Sequence, residues 1–295
     1  MQSADFLSAV FFYLKEGENL NQNWIVENLN HAFSTWNGKL GELWGLVTTG
    51  PQTFKGGAVW SVMQTLHNGM VGIGYALVVL FFAISLCKNT MNFHELKRPE
   101  AAIHYFLRFV AAKALVGYGM DIMLNVFSIC NGIVTDMADS MGGISEAMVS
   151  LPAEMQTAIE NVGFLASIPL WLVTILGSLF ITVLSFVMIL TVYGRFFRLY
   201  MYTALAPLPL AAFAGESTQS VGISFLKSYV GVCLEGAVIV LACVIYSAFV
   251  STPTVASGEA TTIVWSFLAE TVFNMLVLVG LIKGSDRIIH EMMGL

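Results

Sequence analysis

Apolar residues run in long blocks along most of this chain, and polar ones gather in the gaps between them. Blocks at residues 67–87, 101–135, 168–193, 226–250 and 263–282 each reach the roughly 20 residues that a helix needs to cross a bilayer. A further block, RFFRLYMYTALAPLPLAAFAG at 195–215, has the composition of a span but carries Pro207 and Pro209. Proline removes a backbone donor and clashes with the preceding turn, so the pattern predicts a broken helix here. In lipid such a break is tolerated only where protein or a water-filled cavity satisfies the freed backbone groups. The segment therefore reads as machinery rather than as an anchor.

The first 60 residues read differently from the rest. Ile25, Leu29, Phe33, Trp36, Leu40, Leu43 and Val47 recur at steps of three and four, while Glu27, Asn30, Ser34, Asn37 and Glu42 fill the other faces. This predicts an amphipathic helix. Gly41 and Gly45 would permit close approach of a neighbouring helix. Two readings stay open: a helix on the membrane or on another subunit, and a helix packed on its own bundle. The predicted organisation is an extracytoplasmic region at 1–60 followed by a transmembrane helical domain at 61–295.

Composition agrees with the blocks. Apolar residues make up 57% and charged residues 11% of the chain, against about 25% charged in soluble domains; mean hydropathy is +0.76. A net charge of −6 gives no basic footprint for nucleic acid. The apolar run at 6–14 follows Asp5 rather than a basic stretch and ends in Lys15-Glu16, so insertion is expected to rely on the spans. Cys87, Cys130, Cys233 and Cys243 form no CxxC and read as buried thiols.

Loop charges set a topology, because Lys and Arg favour the cytoplasmic side. Lys88, Lys97 and Arg98 follow the first block, Arg195 and Arg198 the third, and Lys283 and Arg287 the last, while Lys227 opens the fourth. The loops at 136–160 and 251–262 carry no Lys or Arg. All charges fall correctly if the proline-broken segment enters and leaves on the cytoplasmic side. The expected fold is all-α and polytopic: about five spans, N-terminus outside, C-terminus inside, with a re-entrant or interfacial hairpin between the third and fourth spans.

Ionisable residues within spans normally face a bundle interior or water. Lys113, Asp121, Glu235 and Glu270 lie deep in their blocks, and Arg108 sits nearer the cytoplasmic end. Lys113, Gly117 and Asp121 follow at steps of four, which places Lys113 and Asp121 near one face of their helix. These groups line a polar pathway, or they form buried ion pairs such as Lys113 with Glu235 or Glu270 that fix helix register. Catalysis is not expected: no HExxH, Walker A loop or GxGxxG is present, and His94-Glu95 is half a metal motif without its second histidine. No catalytic residue, metal ligand or cofactor is assigned. Gly69, Gly72, Gly74, Gly117 and Gly119 permit close helix packing, within one copy or between copies.

Three stretches carry a resemblance: NFHELKRPEAAIHYFLRFVAAKALVGYGMDIML, YGRFFRLYMYTALAPLPLAAFAGE and the ending SDRIIHEMMGL. Over roughly residues 60–295 the chain resembles the TrbL-like polytopic proteins of Gram-positive conjugative elements. That family corresponds to the sixth component of the VirB-type type IV secretion apparatus. The resemblance implies a non-enzymatic subunit of a conjugation channel in the cytoplasmic membrane, oligomeric and embedded in the lipid bilayer. It also implies partners among the other secretion subunits, including the energising ATPases, and transient contact with translocating single-stranded DNA and its relaxase. By position, Arg195, Arg198, Pro207, Pro209, Glu216, Lys227 and Glu235 are the residues to test. The alternative is a secondary transporter or ion channel using Lys113, Asp121, Glu235 and Glu270. Transporters commonly pair broken helices in two repeats, and this chain shows one such hairpin.

Overall fold

A computed structural model describes residues 2–90, 99–140, 148–162, 164–249 and 260–294. His94, Glu95, Lys97, Arg98, the loop at 251–259 and the side chains at 6–14 lie outside the described residues. Among those described, 92% are helical and none lies in a strand, so the fold is all-α as expected.

The helices in chain order are α1 (Gln2–Thr48), α2 (Ala58–Thr90), α3 (Pro99–Gly117), α4 (Gly119–Ser140), α5 (Ala153–Glu160), α6 (Phe164–Leu205), α7 (Pro207–Ala211), α8 (Gln219–Phe249) and α9 (Ala260–Met293). Short 3-10 turns at Phe54–Gly57 and Ala212–Ala214 lead into α2 and out of α7. Among the described residues, four stretches are long and apolar enough to cross a membrane: Phe54–Lys88, Ser167–Leu205, Gln219–Phe249 and Thr262–Met293. They overrun the predicted blocks, because hydropathy falls before the helix does: the ends QSVGISF of α8 and KGSDRIIH of α9 stay helical.

The second predicted span is a correction. Instead of one helix over 101–135 there is a pair, Ile103–Gly117 and Gly119–Ser140, bent by 72°. Together they qualify as one broken span. The bend falls at Tyr118, between two glycines that admit close neighbours. A Cβ on Gly117 would stand 2.7 Å from Tyr75 Oη, and one on Gly119 would stand 3.2 Å from Leu210 Cδ1.

The chain gathers into two compact units. One comprises Met1–Trp44, Gly142–Thr191 and Leu241–Lys283; the other comprises Gly45–Met141, Val192–Val240 and Gly284–Leu295. In the first unit the apolar stripe of α1 is covered by the chain itself. Ile25, Leu29, Phe33, Trp36, Leu40 and Leu43 are at most 2% exposed. Phe33 meets Phe267 of α9 edge-on with centroids 6.2 Å apart, and Asn28 Nδ2 donates to Ser178 Oγ of α6 at 3.1 Å. Of the two readings of this stripe, packing on its own bundle is the one observed. Asn37 adds a two-way clamp on an extended segment: its Nδ2 donates to Val149 O at 2.8 Å, and Val149 N donates to its Oδ1 at 3.0 Å.

In the second unit the proline-broken segment is a hairpin. Contacts climb α2 in step: Thr203 meets His67, Pro207 approaches Gly74, and Gly215 approaches Phe81. The chain therefore runs beside α2 in the same direction. It then returns through the start of α8, where Phe213 packs over Gly222 and Tyr202 lies 5.6 Å from Phe225. Val116 of α3 and Leu210 of α7 join the same apolar cluster.

Candidate functional site

The break at Pro207 has a local consequence in the second unit. In a regular helix, the carbonyl of Thr203 would accept from the amide of residue 207, and proline has none. His67 of α2 supplies the missing donor, its Nδ1 lying 2.7 Å from Thr203 O. A carbonyl can only accept, so this nitrogen carries the proton. The histidine is 2% exposed. It ties α2 to the last turn of α6 at the point where the helix would otherwise lose a bond. Pro207 is buried, Pro209 is half-buried, Ala206 keeps helical dihedrals, and Leu210 N still bonds Ala206 O at 3.1 Å, so helical bonding resumes within a turn of the break.

Three turns earlier, α6 places Arg195 and Arg198 on one side by their i, i+3 spacing. Arg195 is fully buried. Among the described residues its guanidinium donates to backbone carbonyls: Val232 at 3.3 Å and Cys233 at 3.1 Å in α8, and Val47 at 3.3 Å in α1. Val47 is in the last turn of α1, where carbonyls have no helical partner and carry partial negative charge, so a cation is well placed there. Asn131 of α4 caps the same end, its Nδ2 donating to Thr48 O at 3.2 Å. Gly236 makes the room: a Cβ there would lie 2.8 Å from both Nη atoms of Arg195.

Arg198 turns to acids instead. Its Nη2 grips both oxygens of Glu235 at 2.6 and 2.7 Å, and its Nη1 donates to Asp286 Oδ1 of α9. Ser285 Oγ donates to Glu235 Oε1 at 3.2 Å, and Asp286 stands 3.6 Å from His290 Nε2 one turn on. Glu235 is 1% exposed while Arg198 and Asp286 are partly open. The cluster thus crosslinks α1, α6, α8 and α9 through one buried carboxylate and two arginines. A carboxylate so buried is tolerable only while it is paired and hydrogen-bonded.

The predicted site residues separate into two groups. Glu235, Arg195 and Arg198 come together, and Glu235 takes Arg198, not Lys113, as its partner. Arg108 is half-buried and donates through Nη2 to Gln219 Oε1 at the start of α8. Lys113, Asp121 and Glu270 are exposed, as are Glu216 and Lys227. The shared face of Lys113 and Asp121 does not survive, because the bend at Tyr118 puts them on different helices.

Sequence reasoning missed His67, Gly236, Ser285 and Asp286. The only signal was indirect: Ser285 and Asp286 stand in the SDRIIHEMMGL ending, whose polar residues interrupt an otherwise apolar helix.

Fold and cluster define a multi-pass α-helical membrane protein whose in-span charges are partly consumed as crosslinks. The chain belongs to the family described as TrbL/VirB6 plasmid conjugal transfer like protein, whose profile it matches over residues 36–207. It is thereby a component of a conjugal transfer apparatus of the type IV secretion kind, associated with other components of that apparatus. The family is a structural component of conjugation and is not a known enzyme family. The match begins within α1, earlier than the resemblance at 60–295 implied, and includes Arg195, Arg198 and Pro207. No curated protein and no solved structure matches the chain.

Proposed function

We propose that several copies of this chain assemble in the cytoplasmic membrane and form part of the wall of the conjugal translocation path. One observation carries the reading. Lys113, Asp121 and Glu270 lie in candidate spans yet are exposed on the single chain, and no ion pair joins them to another described residue. A charge in a span costs roughly 2.5–3.5 kcal/mol on insertion scales unless it faces water or another protein group. Those exposed charges need an aqueous or protein neighbour that one copy does not supply, and adjoining copies around a wet path supply both.

The buried charges argue the same way from the other side. A transporter built from one bundle needs its polar groups free in the interior, whereas Arg195, Arg198 and Glu235 are committed to carbonyls and to one another. The proposed topology keeps the N-terminal region (1–60) outside, the C-terminus inside and the tip of the proline hairpin, beside the Lys88 end of α2, on the cytoplasmic side. There it would meet the energising ATPases and the emerging single-stranded DNA with its relaxase.

Deleting the gene and complementing it in a mating assay tests the role: transfer is expected to vanish and return, and undiminished transfer without the protein contradicts it. Reporter fusions at residue 20, in the loop at 251–259 and after residue 295 test the topology, with outside, outside and inside as the expected results. Ion-gradient-driven uptake into liposomes that is lost in Glu235→Gln would favour the transporter instead.

A further inference from the structure

In the first unit a groove of about 210 Å³ opens between α6 and α9. One wall carries Val173, Gly177 and Phe180 of α6, at steps of four and three; the other carries Trp265, Leu268 and Val272 of α9, at steps of three and four. Each set therefore shares one face of its helix. Gly177 makes the room: it contributes no side chain to the lining, and a Cβ there would already touch Leu268 Cδ1 at 3.4 Å. Leu268 is buried at the floor, while Phe180 and Trp265 are exposed on the rim.

The lining selects hydrocarbon. Apart from the Trp265 indole N–H, no polar side chain contributes to it. Apolar cavities stay dry and accept hydrocarbon, and about 150 Å³ is enough for a benzene ring. Both walls lie within candidate spans, Ser167–Leu205 and Thr262–Met293, so lipid chains are the medium that reaches them. A neighbouring helix is about 10–12 Å across with its side chains, too wide to enter and able only to lie over the opening. Seven residue steps along each wall give about 10 Å, which fits within half of a hydrocarbon core roughly 30 Å thick.

One end of the groove is marked. Trp265 stands three residues after Thr262, where the span opens. Tryptophan favours the membrane–water boundary, where its ring stays apolar and its N–H finds an acceptor. Among the described residues its Nε1 has no hydrogen-bond partner. Ester carbonyls, which accept, sit where a lipid chain joins its headgroup. We propose that this groove holds one acyl chain of a bilayer phospholipid, its methylenes against Gly177 and Leu268 and its ester carbonyl accepting from Trp265 Nε1. The assignment rests on the spans and not on the channel reading.

The test uses the full chain purified in detergent and titrated with dioleoyl-phosphatidylglycerol, bound molecules being counted by native mass spectrometry. One phospholipid is expected to bind more tightly than those that follow. Gly177→Leu and Ala269→Leu, which fill the groove from opposite walls, should each abolish that first step. Gly280→Leu, outside the groove and with nothing within 4 Å, should leave it unchanged. Trp265→Phe keeps a ring but removes the donor and should weaken binding roughly fivefold, the weight of one neutral hydrogen bond. An ether-linked analogue without the carbonyls should show the same loss on the wild-type chain. Thermal melting of each variant verifies the fold independently of binding. Absence of a preferred phospholipid, or equal binding by the wild type and both filled variants, would overturn the proposal. So would filled variants that keep the lipid but lose oligomer mass, since a neighbouring copy would then be the occupant.

Discussion

At the junction of α6 and α8, charged side chains are withdrawn from the surface and bonded, whereas Lys113 of α3, Asp121 of α4 and Glu270 of α9 stand exposed with no ion pair among the described residues. Both groups lie in helices apolar enough to be candidate spans, α3 and α4 as a bent pair. The difference lies in geometry. Arg195 and Arg198 share a side with α8 and find carbonyls and Glu235 within reach, while Lys113 and Asp121 are parted by the 72° bend at Tyr118. The first group holds the fold together; the second is left for something outside the single chain.

The largest expected effect comes from breaking the bonded group. Arg198→Ala leaves the Glu235 carboxylate buried and unpaired, at a cost of about 3–5 kcal/mol. Thermal melting in detergent should show a much lowered transition, and little protein should accumulate in membranes. Restoring a neutral pair with Arg198→Met and Glu235→Leu together should recover most of that loss, since well-packed apolar replacements of buried pairs are often near neutral. A double variant no better than Arg198→Ala would mean that the charges do more than crosslink.

Smaller losses are expected where geometry alone is disturbed. Gly236→Ala drives a methyl to 2.8 Å from the Arg195 guanidinium and should cost about 1–3 kcal/mol. His67→Phe keeps the bulk but leaves Thr203 O without its donor, again about 1–3 kcal/mol. His67→Gln, which can still donate, should lose less than His67→Phe; equal losses would show that the bond across the proline break carries no weight.

The exposed group should respond in the opposite way. Lys113→Gln, Asp121→Asn and Glu270→Gln should each shift stability by no more than about 0.5 kcal/mol, as surface substitutions usually do. Their effect belongs in transfer, not in melting.

Particular elements show how far the chain could be read from its residues. The buried stripe of α1 was legible because a one-dimensional period of three and four maps directly onto one helix face. The break at Pro207 was legible because the missing amide is a property of the residue itself. The bend at Tyr118 was not, because Gly117 and Gly119 gain their meaning only from Tyr75 and Leu210, distant in sequence. The pairing of Glu235 with Arg198 was hidden for the same reason: hydropathy ranks charges by depth but says nothing about which helices adjoin. His67 is the instructive miss. A lone histidine near a helix end carries no pattern, and its role follows only from a proline 140 residues away.

The central claim is that the exposed charges face a shared translocation path. The most direct test is a mating assay with the triple variant Lys113→Gln, Asp121→Asn and Glu270→Gln in a deletion background, with membrane levels of the protein measured alongside. The account predicts wild-type accumulation with transfer reduced by about tenfold or more, one power of ten answering to about 1.4 kcal/mol. Wild-type transfer from that variant would contradict it.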